Sequence, residues 1–104
     1  MDRPQKLDEK FTKALLKTLT DAGLLTGISE ARLKKEAEER GGAEALSRLI
    51  SRGSTTAQFD ALAKQGRLDL SAEALVIRGE YAPLFTDEVV NTCLSTLLSE
   101  GYFG

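Results

Sequence analysis

Apolar residues recur every three or four positions along most of this chain, and glycines interrupt the pattern at helix-length intervals. Such spacing lines one face of an α-helix, because the helix turns once in about 3.6 residues. The first series is Leu7, Phe11, Ala14, Leu15, Leu19 and Ala22. No segment shows the sustained alternation with β-branched residues that indicates a strand. The pattern therefore favours short helices that pack against one another.

These segments predict an all-α fold, a compact bundle of five or six short helices without an internal repeat. At 104 residues the chain is long enough for one domain, so we expect residues 1–104 to form a single helical domain. Residues 1–6 are expected to be flexible. Helices are expected over about residues 5–22, 30–40, 43–51, 57–65 and 72–78, with a last helix between Thr86 and Gly101.

Local signals predict where several of these helices begin and end. Gly23 is a natural end for the first helix. Ser29, Ser71 and Thr86 carry hydroxyl groups that can accept hydrogen bonds from the free N–H groups at a helix start. Pro83 is expected to prevent a helix through residues 79–84, because proline lacks the backbone N–H group.

The sequence contains one cysteine, Cys93, and no histidine. A nucleophilic cysteine needs a base that lowers its pKa, and a structural zinc site needs four ligands. We therefore expect Cys93 to pack in the core, and we expect neither a metal site nor a cofactor. A lone cysteine cannot form an internal disulfide, and no signal-peptide pattern or membrane-length apolar run is present. These features predict a cytoplasmic protein.

Charge is distributed unevenly along the chain. Residues 1–67 hold 13 basic and 10 acidic side chains, whereas residues 68–104 hold 1 basic and 6 acidic side chains. An acidic surface suits a basic protein partner and is a poor general binder of phosphate backbones. The candidate partner-binding residues are Asp69, Glu73, Glu80, Asp87 and Glu88.

The segment Gly66–Val76 concentrates polar side chains between two predicted helices. Asp69 and Glu73 flank Ser71, and two carboxylates near a hydroxyl group are compatible with acid–base catalysis. Capping of the following helix is a simpler explanation of the same residues. Arg67 can also pair with one of the two acids. We therefore favour a structural role for this segment, and we expect the protein not to be an enzyme.

Four basic residues around the third and fourth helices support an alternative, a small nucleic-acid-binding regulator. They are Arg48, Arg52, Lys64 and Arg67. A solvated charged face is the simpler interpretation. Gly41 and Gly42 precede a helix but lack the spacing of a nucleotide-binding loop, so they predict a tight turn between helices.

The last helix carries a wide apolar stripe, which makes self-association through this helix a further possibility. The stripe consists of Val89, Val90, Leu94, Leu97 and Leu98. Tyr81, Tyr102 and Phe103 flank the helix and are expected to belong to the core, with interface anchors as the alternative.

The chain resembles an uncharacterised family of small bacterial proteins over roughly residues 40–102. The shared features are the Gly41-Gly42 segment, Phe59, the motif Gly-Arg-Leu-Asp-Leu-Ser-x-Glu-Ala-Leu-Val at 66–76, the segment 84–86 and the closing 100–102. The resemblance implies a bacterial or phage source, and no activity can be carried over from it. Together with the composition, it leads us to expect a protein-binding module that acts as an accessory, adaptor or inhibitor or immunity-type protein.

Overall fold

The computed structural model describes residues 5–102. Over this range the chain forms six α-helices and two short 3₁₀ helices, and it contains no strand. The α-helices are α1 (Gln5–Thr26), α2 (Ala31–Arg40), α3 (Gly42–Ser51), α4 (Phe59–Lys64), α5 (Ala72–Val76) and α6 (Asp87–Ser99), and the 3₁₀ helices are Leu68–Leu70 and Gly79–Leu84. The predicted all-α bundle is confirmed. Of the segment 1–6 that we expected to be flexible, residues 1–4 lie outside the described range and α1 begins at Gln5.

Helix α1 contacts α2, α3, α4, α5 and both 3₁₀ helices, while α6 packs on α3 and α5. Its buried side chains are Phe11, Leu15, Leu19 and Ala22, members of the series that the spacing predicts. The ring of Phe11 meets those of Tyr81 and Phe85 edge to face, with centroids 5.0 and 5.1 Å apart. The face predicted from the spacing is therefore the core face of α1.

The predicted end of α1 at Gly23 is wrong, because the helix continues through this residue to Thr26. A Cβ atom on Gly23 would lie 3.4 Å from the carbonyl oxygen of Ile28 and 3.5 Å from Nε2 of Gln58, which are ordinary van der Waals contacts. Gly27 follows the helix with a φ of 75°, in the left-handed region that favours glycine. Helix α1 therefore ends at Thr26, directly before Gly27.

The predicted caps are confirmed at Ser71 and Thr86 and wrong at Ser29. The side chain of Ser71 accepts a hydrogen bond from the N–H of Ala74, and that of Thr86 accepts one from Val89. Helix α2 instead begins after Glu30, without a side-chain cap. In the preceding turn the hydroxyl of Thr26 accepts a hydrogen bond from the N–H of Ile28.

The expectation that Pro83 prevents a helix over residues 79–84 is also wrong, since Pro83 lies inside the second 3₁₀ helix. The fixed φ of proline is compatible with 3₁₀ geometry, and a helix this short has few N–H groups to satisfy. This helix places Tyr81 and Leu84 in the core.

The two glycines at 41–42 form the predicted tight turn between α2 and α3. Gly41 has a φ of 90°. The N–H of Gly42 donates to Oγ1 of Thr12 at 2.7 Å, and a Cβ atom on Gly42 would lie 3.0 Å from Cα of Thr12. Glycine at position 42 therefore allows α3 to approach α1 closely.

Candidate protein-binding surface

The Gly66–Val76 segment uses most of its polar groups for its own folding. Nε of Arg67 lies 3.2 Å from Oδ1 of Asp69, and this guanidinium lowers the pKa of the Asp69 carboxyl group. The hydroxyl of Ser71 donates to the carbonyl of Leu68 at 2.7 Å while it caps α5. The structural interpretation of Arg67 and Ser71 therefore agrees with their contacts.

Glu73 is buried, with 1% of its surface exposed, so its assignment to a partner-binding surface is wrong. Its Oε2 accepts the N–H of Thr56 at 2.7 Å, and its Oε1 is 3.0 Å from the hydroxyl of Thr56. Burial raises the pKa of the Glu73 carboxyl group, while the donors of Thr56 act in the opposite direction. These hydrogen bonds connect the loop before α4 to α5.

Gln58 extends this buried polar network to α1. Its Nε2 donates to the carbonyl oxygens of Leu19 and Ile28 at 3.0 and 2.8 Å, and its N–H donates to Oε2 of Glu30 at 3.0 Å. The sequence does not single out Gln58, because a buried glutamine between helices gives no local signal. The network holds the loop between α3 and α4 in place and leaves Gln58 unavailable to a partner.

Of the four acidic candidates that remain exposed, two have basic neighbours. Asp69 pairs with Arg67, as described above. Oε2 of Glu80 lies 3.0 Å from Nζ of Lys10, and its Oε1 lies 3.8 Å from the guanidinium of Arg78. The negative charge of these two candidates is therefore locally offset.

Asp87 and Glu88 differ from the other candidates, because they form no ion pair with another residue in the range 5–102. Both are exposed in the first turn of α6, where acidic side chains interact favourably with the helix dipole. They also mark one end of the α6 surface.

The predicted apolar stripe of α6 is divided between the core and the surface. Val89 and Leu97 are buried beside Cys93, whereas Val90 and Leu94 are half-buried and Leu98 is 54% exposed. On the side away from the core, Asn91 and Ser95 are exposed. We call the set Asn91, Leu94, Ser95 and Leu98 the α6 surface.

The α6 surface lies on a stretch without charge, since no acidic or basic residue occurs between Glu88 and Glu100. The neighbouring hydroxyl groups are satisfied within the helix. Those of Thr92 and Thr96 donate to carbonyl oxygens one turn earlier at 2.8 and 2.9 Å, and Ser99 donates to Thr96 at 2.8 Å. Covering such a face costs less desolvation than covering charged side chains.

Cys93 lies in the core and is 1% exposed, as predicted. Burial, reinforced by the nearby Glu73, raises the pKa of its thiol to about 12. A thiol in that state is a poor nucleophile at neutral pH. Across residues 5–102, no cluster of three or more potential ligands is placed to hold a metal ion.

The four basic candidates do not form an unpaired set. Nε of Arg48 lies 3.2 Å from Oε2 of Glu44, and Arg67 is paired with Asp69. Arg52 and Lys64 are exposed.

A second basic feature was missed, although its signal is in the sequence. Lys6, Lys10, Lys13 and Lys17 follow helical spacing along one face of α1, and all four are exposed. Lys10 pairs with Glu80, and Nζ of Lys17 lies 3.7 Å from Oδ2 of Asp21.

The aromatic candidates have different environments. Tyr81 is buried, as predicted, and Tyr102 is half-buried against a small cluster that contains Leu62 and Leu97. Phe103 lies outside the described residues.

No protein-family model matches this chain, and neither a curated protein nor a solved structure matches it. Within the described range, none of the helices has the length and apolar character needed to cross a membrane.

Proposed function

We propose that this protein is a non-enzymatic protein-binding module of the accessory, adaptor or inhibitor type, and that the α6 surface is its contact site. The observation that supports the proposal is an exposed, charge-free helix face that includes Leu98 and lies beside Asp87 and Glu88, two acids that form no ion pair within residues 5–102. A bacterial, cytoplasmic setting is part of the same proposal.

The composition of this face is typical of an interface centre. The buried centre of a protein–protein interface is depleted of charged residues, while its rim is polar. Leu98 and Leu94 provide apolar area, and Asn91 and Ser95 are small enough for a partner to approach the helix. Asp87 and Glu88 would accelerate encounter with a basic partner more than they would increase its final affinity.

The proposal can be tested by affinity capture with quantitative mass spectrometry from a lysate of the source cells. Ser95→Arg places a large cation at the centre of the face. Ser51→Arg is the matched control, because Ser51 is also exposed and helical but belongs to α3. We expect a specific partner to be retained by the wild type and by Ser51→Arg and lost with Ser95→Arg. Identical sets of captured proteins for all three would contradict the proposal.

A second candidate function is nucleic-acid binding. The observation that favours it is the set of exposed lysines along one face of α1, together with the exposed Arg52 and Lys64. Phosphate contacts would make the affinity for a labelled DNA duplex fall steeply with added salt. No retention on DNA at low salt would remove this candidate.

A further inference from the structure

We infer that the outward face of α1 is a second binding surface of this protein and that it docks on an anionic lipid bilayer. The face carries four exposed lysines and ends at a leucine that is 83% exposed. We call this set the α1 ridge: Lys6, Lys10, Lys13, Lys17 and Leu24. The ridge belongs to a different helix from the α6 surface, so the inference goes beyond the proposed function and does not rest on it.

The α1 ridge lies on the side of the helix that faces away from the core. Successive residues of an α-helix are rotated by about 100°, so the four lysines fall within an arc of about 60°. The buried Leu15 lies on the opposite side, about 180° from Lys6. Leu24 comes 18 positions after Lys6, or about five turns, and therefore points in the same direction as the lysines. Cations and an apolar side chain thus share one line about 27 Å long.

The α1 ridge is locally positive, although the whole chain has a net charge of −2. Lys6 and Lys13 form no ion pair with another residue in the range 5–102. The other two lysines pair with Glu80 and Asp21, but these pairs are exposed, and an exposed pair contributes little free energy that binding would have to replace. Five basic and three acidic side chains lie on and beside the ridge, a net charge of +2: the four lysines and Arg78, and Glu9, Asp21 and Glu80.

The composition of the ridge selects among anionic partners. The centre of a protein–protein interface is depleted of lysine and contains apolar contacts, whereas this face carries no apolar side chain between Lys6 and Leu24. A nucleic acid could accept the lysines at its phosphates, but its backbone offers no apolar contact to Leu24, and the ridge has no aromatic side chain on which bases could stack. Asp87 and Glu88 of a second copy are adjacent residues, so they match only part of a lysine series about 16 Å long.

An anionic bilayer meets both requirements of the ridge. Clusters of four or more basic residues along a helix are typical of binding to acidic lipids, whose headgroups would face the lysines. Leu24 would reach the boundary between the headgroups and the acyl chains. Because the apolar side of α1 remains packed in the core, docking requires no change of fold. Each basic residue near such a surface raises partition about 5-fold, so a net charge of +2 predicts a preference of about 25-fold over a neutral bilayer.

Vesicle sedimentation at low salt tests the inference. One set of vesicles contains equal parts of phosphatidylglycerol and phosphatidylcholine, and the other contains phosphatidylcholine alone. We expect the wild type to partition onto the anionic vesicles about 10- to 30-fold more strongly, with a preference that declines as salt is added. Lys6→Gln/Lys13→Gln should abolish this preference, because the net charge of the ridge falls to zero. Arg52→Gln/Lys64→Gln is the matched control, since it removes two exposed positive charges outside α1, and it should retain the preference.

Leu24→Ser distinguishes a bilayer from a nucleic acid. Because Leu24 is 83% exposed, the substitution leaves the core intact. It should weaken partition onto the anionic vesicles about 3-fold or more, through loss of the apolar contact, and leave retention on a labelled DNA duplex unchanged.

The outcomes that would overturn the inference are distinct from those that bear on the α6 surface. Equal partition of the wild type onto both kinds of vesicle would overturn it, as would a preference that survives Lys6→Gln/Lys13→Gln, one that is lost equally in the control, or partition unaffected by Leu24→Ser. Retention on DNA that Lys6→Gln/Lys13→Gln abolishes, without partition onto vesicles, would identify a nucleic acid as the partner and overturn it as well. The lysate capture described above uses variants of other helices, so the proposed function can survive each of these results.

Discussion

The buried pair of Glu73 and Thr56 offers the sharpest test of how this fold is held together. Glu73→Ala removes the carboxylate that accepts two hydrogen bonds. The N–H and the hydroxyl of Thr56, a residue only 3% exposed, then lose that acceptor. Glu73→Gln preserves the shape of the side chain. Its carbonyl oxygen can accept the N–H of Thr56, and its amide group can donate to the hydroxyl, which can act as an acceptor.

The expected free energies of unfolding differ strongly between the two variants. An unsatisfied buried donor costs about 1–3 kcal/mol, and removal of a buried carboxyl group returns part of that loss by relieving its desolvation. We therefore expect Glu73→Ala to lower the free energy of unfolding by about 2–3 kcal/mol at neutral pH. Glu73→Gln should remain within about 1 kcal/mol of the wild type, since it retains both contacts without a charge. Glu39→Gln, at an exposed position on α2, is the matched control and should have no effect.

Acidification provides an independent reading of the same site. Because burial holds the pKa of Glu73 above its ordinary value of 4.5, the protonated carboxyl group favours the folded state. The stabilisation that Glu73 contributes is complete below about pH 4.5 and is lost as the pH rises through its folded pKa. The wild type should therefore gain stability relative to Glu73→Gln as the pH falls from about 7 towards 4.5, because glutamine does not titrate.

Urea denaturation followed by circular dichroism at a series of pH values measures both effects. The reasoning would be refuted if Glu73→Ala cost less than about 0.5 kcal/mol, since a satisfied buried pair cannot be removed so cheaply. A difference between wild type and Glu73→Gln that is constant with pH, or that changes in the opposite direction, would contradict the raised pKa.

Three further predictions concern local packing and chemistry. Gly42→Ala should lower the free energy of unfolding by about 1–3 kcal/mol through overpacking against the Thr12 backbone, whereas Gly79→Ala, where a Cβ atom meets nothing within 4 Å, should not; thermal denaturation of the pair checks this, and equal melting temperatures would contradict it. Ser71→Ala should cost about 1–2 kcal/mol through loss of the helix cap, measured by urea denaturation, and an unchanged midpoint would count against that role. The thiol of Cys93 should react with a disulfide reagent at neutral pH only after denaturant is added, because it is buried with a pKa raised to about 12; rapid reaction of the native protein would contradict this burial.

Periodicity was sufficient to predict the fold class and the inward face of α1, because both depend on residues close in sequence. The caps at Ser71 and Thr86 were predictable for the same reason. The end of α1 was predicted at Gly23 and lies at Gly27, because both glycines offer a stop and of the two only Gly27 adopts the left-handed φ, 75°. A glycine inside a helix and a glycine that ends one look alike until the backbone conformation is known.

The candidate site was less predictable, because the roles of its polar residues depend on their partners in space. Glu73 lies in a polar segment and was assigned to the surface. In the structure it is buried and accepts a hydrogen bond from Thr56, which lies 17 positions earlier in the sequence. Asp69 and Glu80 are exposed as a contact surface requires, yet each lies beside a basic residue. Charge along the sequence therefore identified the acidic region without showing which members retain an unpaired charge.

Satisfaction of polar groups explains why, of the acidic candidates between Asp69 and Glu88, only those at the start of α6 remain suited to a partner. In the 66–76 segment, Arg67 is engaged by Asp69, Ser71 caps a helix and Glu73 holds a loop, so a partner would have to compete with contacts that the fold already makes. Asp87 and Glu88 have no such ion pair within the described residues. The hydroxyl groups of Thr92, Thr96 and Ser99 donate within their own helix, so the polar side chains that a partner would have to satisfy on this face are mainly Asn91 and Ser95. A face that lacks charged side chains and has acids at one end can gain from association with a basic partner, and among residues 5–102 α6 provides that combination.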